Sequence, residues 1–261
     1  MENVRVIARL DVKNSDLVKG IQFEGLRKLG KQNEFAIKYY EQGADELLYI
    51  DIVASLYERN HLQEVIKEAT KNVFIPITVG GGIRKISDVE TLLNSGADKV
   101  VVNTGGIKRP ELISEIAKKY GSQCVVVSIE AKKMGSNKWE AYYDNGREKS
   151  GLNAIEWAIE AEKLGAGEIL VTSVDRDGTE KGFDIDLIKS ISGAVSIPVI
   201  AGGGMGKLED SIEAVKSGGA NAVAVASVLH YNKHSIEDIK RALYEHQIEV
   251  RRTYSEENSD N

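Results

Sequence analysis

The chain has 261 residues and a formal net charge of −6 at neutral pH, so it lacks the basic face that nucleic-acid binding requires. It opens without an apolar signal region and holds no apolar run near the ~18 residues of a membrane span, which sets the expectation of a cytoplasmic protein without membrane contact. A single cysteine, Cys124 in an apolar run, rules out an internal disulfide and reads as a buried core thiol.

From the N-terminus onward, apolar runs of strand length alternate with segments of helical period. The first strand is Val4–Asp11. Val12–Gln32 follows, longer than most strand-to-helix connections and pivoting on Lys13, Lys19, Gly20 and Gly25, and such a long loop reads as a lid. Then come a helix over 33–42, strands over 46–51 and 74–79, a helix over 89–95, a strand over 99–103 and a helix over 110–119. The strand at 124–130 is succeeded by Lys132–Ser150, where Asn145-Gly146 is a turn signal for a small inserted hairpin. A helix over 154–164, strands over 168–173 and 197–201, a helix over 208–217 and a strand over 222–226 complete the rhythm. Ser235-Ile236-Glu237-Asp238 opens the last helix with a capping pattern, and residues 253–261 form a polar tail expected to be disordered. The three prolines (76, 110 and 198) and the absence of low-complexity sequence leave no linker. Eight apolar strands alternating with helices predict a parallel sheet covered by helices. At close to the ~250 residues usual for it, that is an α/β fold, a (β/α)8 TIM barrel, as one domain over 1–252.

The barrel carries an internal repeat. Ile75-Pro76-Ile77-Thr78-Val79-Gly80-Gly81-Gly82 returns as Ile197-Pro198-Val199-Ile200-Ala201-Gly202-Gly203-Gly204. Lys85 and Asp88 recur as Lys207 and Asp210, and Gly43-Ala44-Asp45-Glu46-Leu47-Leu48 as Gly165-Ala166-Gly167-Glu168-Ile169-Leu170. Allowing one inserted glycine, Val101-Val102-Asn103-Thr104 aligns with Ala224-Val225-Ala226-Ser227. The molecule therefore reads as two half-barrels.

Active sites of such barrels lie at the C-terminal ends of the strands. Glycines there let backbone N–H groups approach a ligand, and a following helix N-terminus favours a phosphate. One predicted cup consists of Gly81, Gly82, Asn103 and Thr104, the other of Asp177, Gly178, Gly203, Gly204, Ala226 and Ser227. Two cups across one mouth imply a long ligand with a phosphate at each end. Asp11 and Glu130 end strands one and five, which stand opposite in a ring of eight, and a carboxyl on each side of the ligand suits general acid and base work. His61, His230, His234 and His246 show no ligand-like spacing, so neither metal nor cofactor is expected.

The motifs Ala8-Arg9-Leu10-Asp11-Val12-Lys13, Val18-Lys19-Gly20, Val79-Gly80-Gly81-Gly82-Ile83, Gly96-Ala97-Asp98-Lys99-Val100 and Asp175-Arg176-Asp177-Gly178-Thr179, with the two Gly-Ala repeats and Asn103-Thr104, come in order along the chain. They resemble the cyclase subunit of imidazole glycerol phosphate synthase, from about residue 3 to residue 251. The resemblance implies ammonia attack on a bis-phosphorylated aminoimidazole carboxamide ribonucleotide, closure of the imidazole ring, and release of imidazole glycerol phosphate and the aminoimidazole carboxamide ribotide. It implies Asp11 as general base and acid and Lys19 on a closing loop. It further implies a separate glutaminase subunit at the other end of the barrel, an ammonia gate made of Arg5, Glu46, Lys99 and Glu168, and docking positions at Asp98 and Gln123.

Two positions and one dipeptide depart from the family pattern. Glu130 stands where the family has Asp, Arg9 where it has a small residue, and Asn14-Ser15 where it tends to Asp-Gly. Arg9 shares a strand face with Asp11, so its guanidinium is expected to lower the Asp11 pKa, with pairing to Glu130, binding of a substrate anion or a lid salt bridge as the alternatives. The first reading is the histidine-pathway cyclase. Others are a paralogue delivering ammonia for sugar amidation in surface-polysaccharide synthesis, a sugar-phosphate isomerase barrel, and a non-catalytic barrel that activates a glutaminase.

Overall fold

A computed structural model describes residues 3–54 and 62–251 of the chain; the tail at 253–261 and His61 lie outside the described residues. Among the described residues twelve strands form one sheet: β1 (Arg5–Lys13), β2 (Asp16–Ile21), β3 (Glu24–Lys31), β4 (Glu46–Asp51), β5 (Ile77–Gly80), β6 (Lys99–Val102), β7 (Val125–Gly135), β8 (Lys138–Tyr143), β9 (Glu148–Asn153), β10 (Glu168–Ser173), β11 (Val199–Gly202) and β12 (Ala222–Val225). Eight of them close a parallel ring in the order β1-β4-β5-β6-β7-β10-β11-β12 and back to β1. With helices between the strands, this is the expected (β/α)8 barrel.

Strands β4 and β10 begin and end where the sequence predicted. The strands expected from 74 and 197 start later, at Ile77 and Val199, because Pro76 and Pro198 have no N–H for the ladder. Their carbonyls still accept from Leu47 and Ile169 at 3.0 and 2.9 Å. The repeated aspartates also gain a physical reason. Asp88 accepts the backbone N–H groups of Arg84 and Lys85, and Asp210 those of Gly206 and Lys207, so each closes the first turn of its helix (Ile86–Leu93 and Leu208–Lys216). Ser235 and Asp238 do the same for Ile236–Glu245.

The alternation of a strand sorts the side chains. On β1, Val6, Ala8, Leu10 and Val12 join the core beneath the helices, while Ile7 joins a second core inside the ring with Leu48, Val101, Val126, Leu170 and Ile200. Arg5 lies one pleat below that inner apolar layer and Arg9 and Asp11 above it. Charges thus sit at both ends of the ring with an apolar middle between them.

Two segments differ from expectation. Val12–Gln32 is a paired hairpin instead of an irregular lid loop, with β2 continuing from β1 (Val12 beside Leu17) and β3 returning along β2. Asn14, Gln22 and Phe23 take left-handed φ values of 57, 51 and 64°, which close its two tight turns. The insertion after β7 is larger than one hairpin: β7, β8 and β9 form a three-stranded antiparallel flap, and its second turn holds Asn145-Gly146 as predicted. Among the described residues no helix is long and apolar enough to cross a membrane.

Candidate active site at the barrel mouth

Strand β1 delivers Arg9 and Asp11 to the C-terminal end of the ring. Arg9 Nε donates to Asp11 Oδ1 at 2.9 Å, and Lys19 Nζ from β2 reaches Asp11 Oδ2 at 3.4 Å. The partner of Arg9 is therefore Asp11, not Glu130 or a lid carboxylate. Its Nη1 also donates to Thr172 Oγ1 on β10 at 3.2 Å, and its guanidinium lies 5.8 Å from the centre of the Phe23 ring on the lid hairpin. Burial alone would raise the Asp11 pKa, but the charges of Arg9 and Lys19 outweigh it and hold the carboxyl below the usual carboxylate range.

Glu130 faces Asp11 from β7, on the opposite side of the ring, and is 7% exposed. Burial pushes its carboxyl up to about 7, against the pull of the Gly146 N–H, which donates to Oε2 at 2.6 Å, and of Arg9. The two carboxyls thus differ in kind. Asp11 is ionised at neutral pH, whereas Glu130 is poised between acid and carboxylate. Environments that push two carboxyls apart mark an acid and a base.

The first predicted cup is assembled. Gly81 and Gly82 take φ of 109 and 72°, and a Cβ on Gly81 would lie 2.5 Å from the Asp51 carbonyl oxygen. Asn103 donates to the carbonyls of Ser128 and Tyr142 at 3.0 and 3.1 Å, and Thr104 Oγ1 accepts from Asp144 N–H at 3.0 Å, which ties the cup to the flap. These residues line a cavity of about 320 Å³ together with Arg9, Lys108 and Glu130.

The second cup brings Asp177, Gly178, Gly203, Gly204, Ala226 and Ser227 together around a space of only about 20 Å³, little more than one water occupies. Lys19 lines it too, binding Asp177 at 3.0 and 3.1 Å. The hairpin tip is tied down beside it, with Gln22 N–H on Asp177 O at 2.8 Å and Gln22 Nε2 on Asp175 O at 3.0 Å.

At the opposite end of the ring, Arg5 binds Glu46 and Glu168 at 2.8 and 3.2 Å, and Lys99 binds the same two carboxylates at 2.9 and 3.1 Å. Each ion touches both ions of opposite sign, which offsets the cost of placing four charges inside a barrel. Thr78 donates its hydroxyl to Glu46. Asp98, which accepts Ile77 N–H at 2.8 Å, and Gln123, which donates to Tyr120 O at 3.1 Å, are exposed at this same end.

Sequence reasoning missed several site residues. Thr78 and Thr172 were open to discovery, since each lies an even number of positions from an inward-facing neighbour on its own strand. Phe23 carried no local signal and Gly146 signalled only a turn, because their contacts with Arg9 and Glu130 arise only where the strands of the mouth come together. Burial pushes His230 down to about 3, and its Nδ1 lies 2.6 Å from the Tyr39 hydroxyl, so it is a neutral core ring. Among the described residues no group of His, Cys, Asp or Glu could hold a metal ion.

Fold and mouth together define a class: a (β/α)8 barrel with repeated halves, two glycine-lined pockets and, between them, two carboxyls of unlike acidity. Residues 5–235 match the family described as histidine biosynthesis protein. Over 210 residues, 80% of this chain and 99% of the relative, the sequence is 60% identical to imidazole glycerol phosphate synthase subunit HisF of Legionella pneumophila. Over 251 residues, 96% of this chain and 99% of the relative, it is 49% identical to the subunit of the same name from Dehalococcoides mccartyi, and 48% identical to that of another strain. The chain belongs to this family of imidazole glycerol phosphate synthase subunits, as its motifs led one to expect.

Proposed function

We propose that the protein is the cyclase subunit of imidazole glycerol phosphate synthase in histidine biosynthesis, using ammonia from a glutaminase partner. The observation that carries this reading is the opposed pair of carboxyls, one held ionised and one pushed up to about 7, between two glycine cups. The cups hold the two phosphates of the substrate. Ammonia attacks the bound ribulosyl chain, ionised Asp11 takes up the proton released, and protonated Glu130 donates to the departing group as the imidazole ring closes. Arg5, Glu46, Lys99 and Glu168 form the gate by which ammonia enters. Above it Ile7, Leu48, Val101, Val126, Leu170 and Ile200 pack as an apolar core, surroundings that a neutral ammonia molecule can cross at less cost than an ammonium ion. Exposed Asp98 and Gln123, on the gate end, belong to the face for the partner. The cytoplasm as its place and 1–252 as one domain are part of the same proposal.

The test is turnover of the bis-phosphate substrate with an ammonium salt and no partner. A folded, phosphate-binding protein without turnover would overturn the reading. One observation favours a second reading, ammonia delivery for sugar amidation: Arg9 occupies the midpoint of the mouth. Its sign would be stimulation of the partner's glutaminase, with the ammonia passed on instead of consumed.

A further inference from the structure

Arg9 lines both cavities of the mouth. It is 4% exposed, and its guanidinium stands where the cavities meet. On the barrel side it is fixed to Asp11 at 2.9 Å and to Thr172 at 3.2 Å, which ties β1 across to β10. On the lid side lies the Phe23 ring. That ring is itself wedged against the flap, where a Cβ added to Gly146 would fall 3.1 Å from it. Arg9, held by Asp11 and facing Phe23, is thus the residue shared by the two cavities, with about 320 Å³ on the Gly81 side and about 20 Å³ on the Gly203 side.

We propose that Arg9 is a specificity-determining residue that partitions the mouth. It admits a ligand with one phosphate to the first cup, and it excludes a ligand with a phosphate at each end until its guanidinium leaves Asp11 and Phe23. The inference rests on the reading of the two glycine sites as phosphate cups. A molecule reaching from one cup to the other passes through the volume the guanidinium fills. Its positive charge gives that molecule little in return, because Asp11 already neutralises it at hydrogen-bond distance. Breaking the pair leaves Asp11 with Lys19 alone, at 3.4 Å. The cost falls on two-ended ligands and spares those that stay in the first cup.

The test uses unreactive probes, a series of linear alkane bisphosphates and the alkyl monophosphates of equal length, with binding read by calorimetry on the full chain. Deleting a cation weakens every phosphate ligand alike, so the informative quantity is the ratio of bisphosphate to monophosphate affinity. Arg9→Ala and Arg9→Ser are expected to raise that ratio about tenfold, or about 1.4 kcal/mol. An unchanged or lower ratio overturns the partition. A measurement on the wild-type chain guards against variants that fail to fold. Bisphosphate binding should shift the Arg9 Nε–H resonance as its bond to Asp11 breaks, while the monophosphate leaves it in place; a bound bisphosphate with that signal unmoved also overturns the proposal. Neither readout needs chemistry. A raised ratio without turnover of the substrate upholds the partition and removes the cyclase reading, and turnover with an unchanged ratio does the reverse.

Discussion

Replacing Glu130 by Gln removes one titration while keeping shape and an oxygen for the Gly146 N–H. The Glu130 carboxyl moves from an ordinary 4.5 to about 7 on folding, chiefly through burial. The folded chain therefore holds this proton over a pH range where the unfolded chain has released it. Stability contributed by the neutral form is fully present below pH 4.5 and is lost as pH rises towards about 7. At about 1.36 kcal/mol per pH unit, the gap amounts to about 3 kcal/mol, undiminished by solvent because the group is buried. Urea unfolding of wild type and Glu130→Gln, repeated from about pH 4 to about pH 8.5, isolates this contribution, since all other groups titrate in both proteins. The difference between the two stability curves should change by about 3 kcal/mol, with the wild type losing ground as pH rises. A constant difference, or a step confined to the ordinary carboxylate range, would refute the neutral Glu130 on which its role as acid depends.

Glu130→Asp draws the carboxyl back by about one methylene from the Gly146 N–H, and ammonium-supported turnover should fall about tenfold or more; a rise would show that Glu130 is a weakened acid and not one fitted to its own turn. Gly178→Ala sets a Cβ 2.5 Å from the Gly20 carbonyl oxygen at a φ of 69°, so the lid hairpin cannot stay seated. A loss of about 1–2 kcal/mol and faster proteolysis within residues 16–31 are expected, and wild-type resistance would contradict the seating. Lys99→Met leaves Glu168 with Arg5 alone and should cost about 2 kcal/mol, since the ring is partly open to solvent. With a glutaminase partner it should lower glutamine-dependent turnover more than ammonium-dependent turnover, and equal losses would argue against a gate.

The fold was legible because its signals are local. The bounds of β4 and β10 follow from apolar runs, and the halves are visible as repeated glycines with Asp88 and Asp210 as matching helix caps. The cups were legible for the same reason, since glycines at strand ends need only backbone geometry to be recognised. The lid was less so. Its length was evident, but its pairing depends on left-handed turns at Asn14, Gln22 and Phe23, residue types that do not demand them.

By itself the sequence determined the ring, the two cups, the charged foot of the barrel, and the facing positions of Asp11 and Glu130. The ring, the cups and the facing carboxyls follow from a period or a spacing along the chain, and the charged foot from the resemblance of its motifs to the family. Only the tertiary structure decided that Arg9 takes Asp11 as its partner, that Lys19 binds Asp177 at the second cup, and that the Glu130 carboxyl is pushed up to about 7. Those outcomes depend on burial and on distances between strands far apart in the chain, and a charge responds to what surrounds it in space, not to its neighbours in sequence.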